Sequence, residues 1–267
     1  MSFIDSPFVD VHVRWQPRFP RSCRSTGQRL PALLFLTLFL VGLTGCGSTD
    51  GSHGYSDQPP TNRTALVAWQ EWTRFGRSTV VYGGAANGYI NRAGMSEHSE
   101  PLNSRVGDYW GSCGHPEWNG RTTGRPWSGA FISWVMTRSG VSQSAFPPAG
   151  RHGQYLMSLY DREQGGRGAS FVLHAPSEYA PKEGDLVCTG TAGPTWRYAD
   201  SRTARRRIDN TVSHCDVVTG VRGGFVHAVG GNVKNSVTMS LYPVDSRGRL
   251  ANTPGKLWMM VVENRAT

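Results

Sequence analysis

Ser128 stands at the head of an apolar run, PWSGAFISWVM at 126–136, and its type and place allow two kinds of chemistry. Counted helically, Phe131, Ile132, Val135 and Met136 share its face, so the hydroxyl points toward packed protein. As a helix N-cap it would accept a bond from a free backbone N–H of the first turn. As a nucleophile it would use the same unpaired N–H groups and the positive end of the helix dipole to stabilise attack on a carbonyl. A base for that attack stands far downstream: strand alternation in TVSHCDVVTGV (211–221) puts His214 on one face with Val212, Asp216 and Val218. The order along the chain is a small nucleophile-type residue at a helix start, a Gly-Asp strand, a histidine strand, and VGGNV (229–233) ending a further strand.

That order and those segments resemble the CHAP and NlpC-type branch of the papain-like amidohydrolases. PWSGAFISWVM is similar to the segment in which a cysteine after Pro-Trp begins their central helix. EGDLVC (183–188) is similar to their first core strand, SHCDVV (213–218) to the strand bearing their histidine, and VGGNV to the strand end that supplies a third polar residue. From about Trp110 onward the chain is identified as a member of a group of exported bacterial proteins, domain of unknown function 2272, which likewise carries serine where those enzymes carry cysteine. The resemblance implies Ser128 as nucleophile, His214 as base and Asn232 as the residue that orients the imidazole. It also implies cleavage of amide bonds in peptidoglycan or related peptides.

A thiol, with a reference pKa of about 8.5, can be ionised at rest beside a histidine; a serine hydroxyl must lose its proton to His214 during the attack itself. Asp216 competes with Asn232 for the third position, but on a straight strand it lies roughly 6.5–7 Å along the backbone from His214, so Asn232 is preferred. Trp127 is expected as a stacking wall and His152 as a polar contact for substrate, each with a packed structural role as the alternative.

The elements that must position these residues fall into two halves. Leu66, Trp69 and Trp72 recur at helical spacing in 64–75, a second helix is expected around 103–110 leading to Trp110, and a short one over 152–160; these tryptophans are expected in the core. Short β-branched segments at 185–188, 212–221, 224–229, 237–244 and 257–262, separated by turn residues, predict antiparallel strands. Helices first and strands afterwards predict an α+β, papain-like domain over 63–267 whose N-terminal helices pack on a C-terminal antiparallel sheet. The arginine-rich WRYADSRTARRR (196–207) is expected to be a solvated loop.

Ahead of that domain, the apolar run LPALLFLTLFLVG (30–42) follows five arginines and is short for a membrane span, which is a signal-peptide pattern. It ends in LTGC (43–46), resembling a bacterial lipobox with Cys46 as the lipid anchor. Residues 1–46 are therefore expected as the leader and 47–62, rich in Gly, Ser and Pro, as a flexible tether. The expected location is the outer membrane, facing the periplasm and held by the lipid. Removing residues 1–46 takes five Arg and two Asp out of the 28 basic and 19 acidic side chains, which lowers the net charge from +9 to +6. That is compatible with anionic wall polymer, and no nucleic-acid motif appears. The expected partners are peptidoglycan or a peptide substrate and the membrane. Cys188 and Cys215 are the preferred disulfide pair; a zinc site from Cys113, His115, Cys188 and Cys215 matches no standard ligand spacing, and no cofactor or metal is expected. The competing possibility is a catalytically inactive wall-binding lipoprotein that keeps the groove.

Overall fold

Each helix shows in its sequence what it buries. In α1 (Arg63–Arg74) the side chain of Asn62 caps the first turn, accepting from the Ala65 N–H at 3.1 Å, while Ala65, Ala68 and Trp72 turn inward. α2 (Leu102–Gly111) buries Leu102, Val106, Tyr109 and Trp110. α3 (Ser128–Arg138) is buried without interruption from Ser128 to Met136, as a helix that is apolar on all sides must be. α4 (His152–Gln164) buries His152, Tyr155, Leu156, Leu159 and Tyr160. The computed structural model describes residues 58–84, 88–166, 168–192, 197–198 and 201–267, all within the compact unit Gly51–Thr267. The expected leader, Cys46 and most of the tether lie outside the described residues. Among those described, no helix is long and apolar enough to cross a membrane.

The fold is mixed α+β: the described residues form five helices and one eight-stranded sheet in the order β2-β1-β7-β6-β5-β4-β8-β3. Its strands are β1 (Ser78–Val81), β2 (Tyr89–Arg92), β3 (Phe171–His174), β4 (Leu186–Ala192), β5 (Val212–Arg222), β6 (Phe225–Val233), β7 (Ser236–Pro243) and β8 (Leu257–Asn264). α1, α3 and α4 pack on one face. Along β5, Cys215 and Val217 enter the core on that face, while Val218 joins Val187, Val226, Tyr242 and Trp258 on the other, beneath Leu250 and Tyr179.

The expected antiparallel C-terminal sheet needs correction. β1 pairs with β7 in parallel, and β1, β2 and β3 come from the half expected to be helical. The four residues of β1 are all buried, so STVV shows no alternation that would mark it as a strand. The arginine-rich loop is also corrected: 201–209 form α5 (Ser201–Asp209), because Ala204 and Ile208, four apart, are buried and α5 packs on α4. Arg205 meets Asp161 at 2.7 Å on the surface. The end of the expected tether is docked: the backbone N–H groups of Thr61 and Asn62 donate to Glu183, and the Asn62 amide donates to Thr267.

One feature of the ladder governs the site. β5 and β6 pair from Arg222 with Phe225 only as far as Val217 with Val229, and there the strands part. His214 and Asp216 lie just beyond that point on β5, still paired to β4 on the other side; Gly230 and Gly231 lie just beyond it on β6. Directly opposite one another on β4 and β5, Cys188 and Cys215 form a disulfide next to His214.

Candidate active site

The start of α3 separates the two possible roles of Ser128. Trp127 holds the cap position, with φ −96° and ψ 9°, and no side chain caps the helix. Ser128 is the first helical residue, and its hydroxyl meets Nε2 of His152 at 2.7 Å instead of a backbone N–H. The first helical bond runs from the Phe131 N–H to the Trp127 carbonyl, so the N–H groups of Ser128, Gly129 and Ala130 have no protein acceptor among the described residues. Gly129 brings His152 close: a Cβ there would stand 2.4 Å from the Gly150 carbonyl oxygen, so the 150–151 backbone lies directly on the helix start. Nδ1 of His152 meets the Tyr155 hydroxyl at 2.5 Å.

Opposite this pair stands a second. Nε2 of His214 is 2.7 Å from Oδ1 of Asp216, and the Tyr242 hydroxyl donates to Oδ2 of the same carboxylate at 2.7 Å. The His152 and His214 rings are 5.4 Å apart, near edge-on at 62°. No hydrogen bond joins Ser128 directly to His214; His152 touches both. Ser128 is 7% exposed and the His214 side chain 16%, so solvent reaches the group through these two residues.

Three of the expected assignments change. Asp216, not Asn232, holds His214: the two side chains leave the same face of β5, which stays in register with β4 there, and the reach of the imidazole and the carboxylate bridges the backbone spacing so that Nε2 and Oδ1 meet. Asn232, in the left-handed region with φ 59°, makes no hydrogen bond to His214. Trp127 is not a substrate wall; it is 2% exposed, packed by Phe75, Tyr109 and Phe131, and its indole N–H donates to Glu97 at 2.5 Å. His152 is a buried partner of the serine hydroxyl and not an open polar contact. The zinc alternative falls with the disulfide, which consumes two of its four ligands, and no three metal-ligating side chains gather among the described residues.

The residues missed in the sequence are the partners of the two histidines, Tyr155 and Tyr242, and the glycines of VGGNV. A Cβ on Gly230 would lie 1.7 Å from Oδ1 of Asp216 and 3.0 Å from Nε2 of His214. On Gly231 it would strike Trp127 and Phe131, 2.5 and 2.6 Å away. The first glycine clears room for the His-Asp pair and the second lets α3 approach β6. The paired glycines are the sequence signal for this close approach, beside the polar Asn232.

Burial sets the electrostatics. It pushes the His152 pKa well below the usual 6.5, and His214 nearby pushes the same way, so His152 is neutral at ordinary pH. For Asp216 burial acts to raise the pKa, but the His214 charge, its hydrogen bond, Lys256 and the Tyr242 hydroxyl outweigh it; the carboxyl ends below its ordinary range and is ionised. Lys256 lies over the stacked rings of Tyr82 and Tyr242, 4.2 and 5.2 Å from their centroids, and supplies positive charge on that side. An ionised Asp216 accepts the Nε2 proton of His214, so in the neutral form of that imidazole the lone pair lies on Nδ1.

A family model described as an uncharacterized protein conserved in bacteria, domain of unknown function 2272, matches residues 94–265. No curated protein matches the chain, and no solved structure does.

Proposed function

The chain belongs to the domain of unknown function 2272 family, and from its site we propose that it is a hydrolase that uses Ser128 to cut amide bonds. The carrying observation is that the Ser128 hydroxyl, at a helix start with unpaired N–H groups, is bonded to an imidazole and not to the helix it begins. In this mechanism Oγ attacks the carbonyl carbon, the π pair moves to the carbonyl oxygen beside the free N–H groups of α3, and the hydroxyl proton passes to Nδ1 of His214. Asp216 holds the imidazolium that forms. The amine then leaves with that proton, and water, activated by the same imidazole, hydrolyses the acyl-serine. The serine helix followed by antiparallel strands, with the histidine on β5, supports a papain-like arrangement.

The substrate we propose is the peptide or peptide-glycan amide of the cell wall, met by a lipoprotein anchored through Cys46 to the outer membrane. The LTGC pattern at 43–46, the net +6 of the chain beyond it and the buried disulfide support an exported protein of this kind. The burial of Ser128 favours one competing reading, a wall-binding protein without turnover. Full-length protein purified in detergent and incubated with isolated sacculi separates the two. Hydrolysis releases new amino groups or muropeptides, lost in Ser128→Ala at an unchanged melting temperature. Equal retention on sacculi by both proteins with no product from either overturns the enzyme.

A further inference from the structure

We infer that His152 is a second catalytic residue of the Ser128 site, a fixed hydrogen-bond donor to the serine oxygen and not its base, with Tyr155 choosing the tautomer that gives it this role. The inference rests on Ser128 as nucleophile.

It follows from counting hydrogens. Tyr155 is fully buried, and among the described residues its hydroxyl bonds only to Nδ1 of His152. If Nδ1 carried the proton, the phenol would accept it and its own hydrogen would be stranded in the core, at a cost of about 1–3 kcal/mol. The phenol therefore donates, and burial keeps it protonated. A neutral imidazole that accepts at Nδ1 carries its hydrogen on Nε2, and Nε2 is the atom 2.7 Å from Ser128 Oγ. His152 thus gives a hydrogen bond to Ser128 and has no lone pair to offer it. The serine proton must go elsewhere, and the free Nδ1 of His214 is the other imidazole nitrogen in the cluster.

The chemical consequence concerns the replacement of thiol by hydroxyl. Negative charge builds on Oγ as its proton departs, and again when the acyl-serine oxygen leaves. An N–H aimed at that oxygen in a dry setting stabilises both moments, while the second oxygen lone pair remains free for attack. A neutral donor does this without repelling a protonated His214.

A fluorophosphonate probe tests the role without knowledge of the natural substrate. Ser128 Oγ forms a bond to phosphorus, the P–F bond breaks, fluoride leaves, and the hydroxyl proton goes to His214. With full-length protein, labelling rates and melting temperatures are measured for wild type, His152→Gln, His152→Ala and His214→Gln. Glutamine keeps an N–H close to the position of Nε2 but cannot take up a proton. The expected result is that His152→Gln stays within about 3-fold of wild type, His152→Ala falls about 30–100-fold, and His214→Gln falls at least as far. If His152→Gln is as slow as His214→Gln, His152 accepts the proton and the inference is overturned. If His152→Ala labels like wild type, the residue is only structural. Should His152→Ala fail to fold, the contrast between the two glutamine variants decides alone. Absence of Ser128 labelling in folded wild type overturns the nucleophile itself, and this role with it.

Discussion

Gly230 shows how one hydrogen atom in place of a methyl group can decide a site. Its Cβ would sit within bonding distance of the Asp216 carboxylate, so Gly230→Ala must drive Asp216 and His214 apart or push β6 away. The expected outcome is a loss of Ser128 labelling of about 100-fold or more, with a stability loss of about 1–3 kcal/mol read from urea unfolding. At this scale the sequence was partly legible. Ser128 and His214 stood out because their segments carry type and order together. Asp216 reads as too far from His214 when only the backbone spacing of a strand is considered, because side-chain reach does not show in that spacing. Tyr155 and Tyr242 carry no signal of their own; a tyrosine in an apolar segment reads as packing, and only coordinates reveal which atom its hydroxyl meets.

Among the elements, α1 and α2 are locked by charge as well as by apolar burial. Glu71 on α1 receives Arg105 at 2.8 Å and the Tyr109 hydroxyl at 2.5 Å, and these bonds overcome the burial that would raise its pKa. Arg105→Ala leaves the buried Glu71 carboxylate with only the Tyr109 hydroxyl and Arg74 at 3.3 Å, and should cost about 1–3 kcal/mol in chemical denaturation. The Cys188–Cys215 link ties β4 to β5 across a sequence separation of 27, and replacing both cysteines by Ala should cost about 3–4 kcal/mol in the same measurement. The strand pattern of the C-terminal half was legible because each strand alternates or carries β-branched runs between turns. β1 was not, since a strand buried on both faces has no period to show, and α5 was masked by the arginines around the inward-facing Ala204 and Ile208.

For the molecule as a whole, burial of neutral imidazoles makes the fold sensitive to acid. His227 is held to about 4 by burial and by the charge of Arg222, against 6.5 when unfolded, and His152 shifts in the same direction. Between those values the unfolded chain binds protons that the folded chain refuses. Stability is therefore full above about pH 6.5 and falls as pH drops toward 4, by on the order of 3 kcal/mol for His227 alone. Melting temperatures across that interval check it: His227→Leu should flatten the slope, and a profile equally steep in the variant would rule out His227 as its source. The mixed α+β class was legible from the order of helices and strands, whereas the way one sheet draws strands from both halves was not. The β5–β6 ladder stops short at Val217 and Val229. Backbone rungs that a purely structural sheet would complete are forgone to seat an imidazole and a carboxylate. Released from chemistry, the chain should zip shut: His214→Thr, Asp216→Val and Gly230→Val together should yield an inert protein that melts several degrees above its parent.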